Sequence, residues 1–215
     1  MPMNKKAISL ACNAFLAIME PLTWGMMLFS RSELALTAIG LMSLKYFTVL
    51  SNLLLGAASL VYGIFLFRTM RSGVQIPVWA HRLKYVATVS VTVTLMTVLL
   101  FLGPMLGYIA MFSGVNFWFH LVLPVVGIFD FALLDANKPL AFKETLLGVV
   151  PTFLYGIGYC ANILLNGVGK WPNTNDWYGF TMWGVEYMPV VLLVMLLATW
   201  LFAIALRAAN SRFAR

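Results

Sequence analysis

The chain has 215 residues, of which 62% are hydrophobic and only 10% charged, against about 25% charged in a soluble domain. With a mean hydropathy of +0.91, this composition excludes a soluble globular protein and predicts an integral, multi-pass protein of the cell membrane. The net charge of +7 sits at the ends of apolar runs. It therefore reads as a topology signal and not as a nucleic-acid surface.

A spanning helix needs about 20 apolar residues. Six segments meet that length, at roughly 7–29, 45–67, 84–112, 117–135, 143–166 and 187–206, so the predicted fold is an all-α bundle of six transmembrane helices in one domain, residues 1–215. Eleven of the 14 Lys and Arg residues fall on one side of this arrangement; Arg31, Lys45 and Lys170 fall on the other. Basic residues concentrate on the cytoplasmic side, which predicts cytoplasmic termini. Lys5 and Lys6 precede a long run without a clean cleavage site, so that run reads as a retained first helix.

The first run carries Glu20 followed by Pro21. An acid inside a span is costly and marks a functional site by default, or else a packing acid; Pro21 predicts a kink. The second run opens with Lys45-Tyr46-Phe47-Thr48-Val49-Leu50-Ser51-Asn52. On a helix Lys45, Thr48, Ser51 and Asn52 share one face, and Ser59 and Tyr62 extend it. A polar stripe among Leu, Val and Phe is expected to face other helices or a cavity. The loop 68–83 reads as cytoplasmic, with His81 beside Arg82 as a surface residue.

Gly103-Pro104 is expected to bend or break the third helix, and a short outer connection leads to Asn116. His120 follows, at much the same depth as Thr48. Asp130 lies about 15 Å deeper at ~1.5 Å per residue, too far to orient His120, and is expected to pair with a basic residue at the inner surface. Helix five carries Tyr155, Tyr159, Asn162 and Asn166 toward its outer end. The outer segment 167–186, with Trp171, Pro172, Trp177, Tyr178 and Trp183, reads as an interfacial aromatic belt or as a lid over an outward-facing site. Cys12 and Cys160 lie in apolar runs with no metal-ligand spacing and read as small buried side chains. No metal or other cofactor is expected.

Of the two histidines, only His120 falls inside a span. A neutral imidazole is the usual general base, and a threonine hydroxyl becomes nucleophilic when such a base takes its proton. Thr48 and His120 read as that pair or, more often where spacing alone is considered, as polar residues packing helices. The segment 45–52 resembles the Lys-aromatic-x-Thr start of the second helix in the androgen-induced protein family. Phe119-His120-Leu121-Val122-Leu123-Pro124, with the apolar run to Asp130, resembles its His-containing helix. That family comprises multi-pass threonine hydrolases whose animal members cleave fatty acid esters of hydroxy fatty acids, and it has six-helix prokaryotic relatives. The resemblance implies Thr48 as nucleophile and His120 as base, with a membrane lipid or fatty acyl ester as substrate. The Trp177-Tyr178-Gly179-Phe180 stretch departs from the family's aromatic-Pro-aromatic pattern.

For substrate binding, Asn52 is the nearest oxyanion donor by helical spacing, Lys45 is placed for a substrate carboxylate or headgroup, and Glu20 or Asn116 for orienting His120. The competing readings are a lipid-binding or transport protein, with Glu20, Asn52 and Asn162 lining a polar pocket, and a structural subunit without a site.

Overall fold

The computed structural model describes residues 3–29, 40–135, 140–170 and 173–213. Arg31, Lys138, Trp171, Pro172 and Arg215 lie outside them. Among the described residues there are no strands. Among the same residues, six helices are long and apolar enough to cross a membrane. They are α1 (Met3–Phe29), α2 (Phe47–Ser72), α3 (Val78–Leu106), α4 (Val115–Leu134), α5 (Phe142–Asn166) and α6 (Val185–Phe213). This is an all-α polytopic membrane protein. The start of α1 and the end of α6 lie at the same end of the bundle, where Lys5 Nζ reaches the carbonyl of Phe213 at 3.4 Å. This end carries most of the basic residues and is called the basic end below.

Two helices differ from the sequence expectation, one of them at both ends. Lys45 closes a short 3-10 turn (Gly40–Lys45), and Tyr46 precedes α2 in an extended conformation. The helix therefore opens at Phe47, two residues later than expected. Conversely, α3 starts at Val78, six residues early, because Pro77 is a suitable residue just ahead of a helix. Gly103-Pro104, expected to bend or break this helix, does not break it: the helix passes through to Leu106 and ends at Gly107, whose φ of 90° suits glycine.

The two proline-bearing outer segments share a device. Pro104 lies four residues after Leu100, within a π-helical turn at Val98–Leu102. Pro124 lies four residues after His120, within a second π turn at Trp118–Val122. Proline has no N–H for the carbonyl four residues back and its ring crowds that carbonyl. The wider turn relieves both conflicts. Pro21, by contrast, sits inside α1 without ending it.

The polar stripe of α2 faces protein: Ser51, Asn52, Ser59 and Tyr62 are all buried. Apolar packing continues beside it, through Leu16, Val49, Leu55, Val91, Phe119 and Leu123. Gly56 brings α1 close, since a Cβ there would lie 2.7 Å from the Glu20 Cβ. The outward faces keep exposed Leu193, Leu197 and Leu201, which suits hydrocarbon as the solvent.

Toward the basic end a buried polar network joins four helices. Lys84, completely buried, donates to Asn13 at 2.8 Å and Ser59 at 2.7 Å, and lies 3.2 Å from Asp130. Asp130 also accepts from Ser9 at 2.6 Å and Asn13 at 2.7 Å. The expected partner of Asp130 is thus a lysine, but within the bundle and not at its surface. His81 is likewise no surface residue. The early start of α3 turns it inward, where it is buried and 2.9 Å from Asp135, which also accepts from Tyr62 at 2.7 Å. Arg82 is the exposed neighbour and pairs with Glu144.

Candidate functional site

At the end opposite the basic one, α2 begins without a side-chain cap of its own. The first amides of a helix have no partner within it, and here Tyr178 supplies one from the loop before α6. The Phe47 amide donates to the Tyr178 hydroxyl at 3.0 Å. Burial raises the Tyr178 phenol to about 12, against the opposing pull of its hydrogen bonding.

The loop is pinned from below. Asp176 accepts from the Tyr159 hydroxyl at 2.5 Å, from the Phe180 amide at 2.7 Å, and from the amide and hydroxyl of Thr181 at 2.8 and 2.5 Å. Partial burial pushes this carboxyl up, but the hydrogen bonds outweigh it and hold the group below the ordinary carboxylate range. Trp177 donates to Tyr155 at 3.1 Å, and Tyr155 donates to the Lys45 carbonyl at 2.6 Å. The Lys45 ammonium lies 5.0 Å from the Trp177 ring centre and 5.2 Å from that of Tyr46. Trp177 and Tyr178 therefore pack on protein as a cover over the start of α2, while Trp183 is 63% exposed, as an interfacial residue would be.

Beneath this cover lies a cavity of about 780 Å³, walled by Thr48, Thr94, Tyr155, Tyr178, Leu192 and Met195 among others. Its size is that of a small-molecule site. The lining is dominated by apolar side chains from α3, α5 and α6, with hydroxyls as the polar minority.

His120 is buried in α4, with Nδ1 2.7 Å from the Met111 carbonyl. A carbonyl only accepts, so Nδ1 carries the proton and Nε2 holds the lone pair. Asn52 connects the two helices, donating to the Thr48 carbonyl at 2.7 Å and to the Phe119 carbonyl at 3.1 Å. That stitch puts the start of α2 and the π turn of α4 side by side. It also occupies both amide hydrogens of Asn52, so the oxyanion-donor role expected of it is not open in this arrangement. Thr48 and His120 share no hydrogen bond, and His120 is not among the side chains lining the cavity.

The other expected site residues disperse. Glu20 is fully buried against α2, and its two carboxyl oxygens have no hydrogen-bond partner among the described residues. Asn116 is half-buried, with its amide on Ser113 at 3.1 Å. Asn162 accepts from Asn166 at 2.8 Å. Neither the cavity beside Thr48 nor the one between α1 and α2 is lined by Glu20, Asn52 or Asn162. Among the described residues no group of three His, Cys, Asp or Glu side chains could hold a metal ion. The phenol of Tyr178 is the group that sequence reasoning missed as the partner of the first amide of α2. Its only signal was membership of an aromatic-rich outer loop.

Compared with family models, curated proteins and solved structures, the chain matches none.

Proposed function

We propose that this membrane protein is a lipid ester hydrolase acting on fatty acyl esters, fatty acid esters of hydroxy fatty acids among them, with Thr48 as nucleophile and His120 as base. The observation that carries this reading is the position of Thr48 on the wall of a deep apolar cavity, where an acyl chain would bring its ester to the hydroxyl. The resemblance of 45–52 and 119–124 to the androgen-induced protein family supports the same pair. His120 Nε2 takes the Thr48 proton as Oγ1 attacks the ester carbonyl. The alcohol leaves with that proton, and an acyl-threonine remains. Water then attacks the acyl group as His120 takes its proton, and His120 passes that proton to Thr48 Oγ1 as the acid leaves, restoring the free hydroxyl and the neutral imidazole. The Phe47 amide, now on the Tyr178 oxygen, is a donor for the developing oxyanion once the phenol moves aside.

A fluorophosphonate probe on the purified protein tests this reading. Labelling that disappears in Thr48→Ala and in His120→Ala is the expected result. Unlabelled, folded wild-type protein supports the second reading, a lipid-binding or transport protein without hydrolysis. That reading is favoured by one observation, the lack of a hydrogen bond between Thr48 and His120.

A further inference from the structure

A second cavity, of about 580 Å³, opens between α1 and α2 toward the basic end. Its walls include Leu10, Ala14, Ala17, Leu60, Ile64 and Phe67, and its outer rim is Arg68 and Arg71. No carboxylate lines it. Gly63 keeps the helices close without filling the space: a Cβ there would just touch Asn13 at 3.4 Å.

Charge and accessibility identify the occupant. The described acids at this end are already engaged: Asp130 by Lys84, Asp135 by His81 and Glu144 by Arg82. Arg68 and Arg71 have no carboxylate partner among the described residues. Leu60, Ile64 and Phe67 are each about half exposed, at 56, 47 and 51%, on a spanning helix whose surroundings are hydrocarbon. The groove therefore fills from the bilayer and not from water. From Ser59 to Ser72 it runs about 20 Å at ~1.5 Å per residue, long enough for most of an acyl chain. We infer that this groove binds one anionic phospholipid, with its headgroup phosphate on Arg68 and Arg71 and an acyl chain between α1 and α2. The inference stands apart from the hydrolase reading, since the groove and the Thr48 cavity lie at opposite ends of α2.

Native mass spectrometry of the full chain tests it, with dioleoylphosphatidylglycerol and dioleoylphosphatidylcholine as probes. At ~1 kcal/mol per basic residue, two arginines give about a thirtyfold preference for the anionic lipid. The Arg68→Gln/Arg71→Gln double variant, changed only at exposed positions, is expected to bring the two lipids to parity. Ala14→Leu fills the groove while keeping the charges, and is expected to weaken both. Equal binding of the two lipids by the wild type overturns the inference. So does a preference that survives the double variant, binding undiminished by Ala14→Leu, or displacement of the anionic lipid by millimolar inorganic phosphate alone.

Discussion

The Tyr178 hydroxyl accepts the Phe47 amide at 3.0 Å, and Tyr178 lines the same cavity as Thr48. A residue 131 positions along the chain from Phe47 thus does for α2 what a Ser or Asp cap does locally. Tyr178→Phe leaves that amide without a partner. By analogy with cap deletions it is expected to cost about 1 kcal/mol of stability, read as a lower midpoint in thermal unfolding, with the loop 173–184 becoming more accessible to protease.

Hydrolysis gives a sharper test of the proposed pair. Thr48→Ala is expected to abolish turnover of a fatty acyl ester, and His120→Ala to lower it by about 10²–10⁴-fold, the usual contribution of a general base. Thr48→Ser retains a hydroxyl and is expected to retain measurable turnover. An alanine variant that still hydrolyses at the wild-type rate removes the residue from the mechanism.

Lys84 and Asp130 form a fully buried pair. Breaking such a pair leaves a charge uncompensated and typically costs ~3–5 kcal/mol. Lys84→Met is therefore expected to unfold far more readily in detergent than the double variant Lys84→Met/Asp130→Leu, which leaves no orphan charge. Equal loss in the two would show that the network contributes packing alone.

Asp176 makes the cover over α2 sensitive to acid. Its carboxyl titrates below its ordinary value of 3.8 in the folded chain. A depressed pKa means that the ionised form is favoured by folding. Its contribution is complete above pH 3.8 and is lost as the pH falls through the lower folded value. Hydrogen exchange at the Phe180 and Thr181 amides, corrected for the intrinsic rate, is expected to stay slow down to that window and then accelerate. Asp176→Asn is expected to accelerate it already at neutral pH and to remove the acid step.

Much of this was legible in the chain. Hydrophobic length alone set six spans, because a bilayer leaves the backbone no partner but itself. The spacing of Ser51, Asn52, Ser59 and Tyr62 on α2 identified its buried face, because helical periodicity is a local property. Other features needed contacts between distant segments. His81 looks like a surface residue beside Arg82 until the early start of α3 turns it toward Asp135. Lys84 looks like one more basic residue at the inner end of its helix until Asn13, Ser59 and Asp130 converge on it from three other helices. Tyr178 looks like one more interfacial aromatic until the loop before α6 folds down onto the open amides of α2. Sequence by itself determined how often this chain crosses the bilayer and which helix faces avoid lipid. Only tertiary structure decided which buried charges meet and what covers Thr48, because hydrogen bonds and ion pairs act over a few ångströms between residues far apart in the chain.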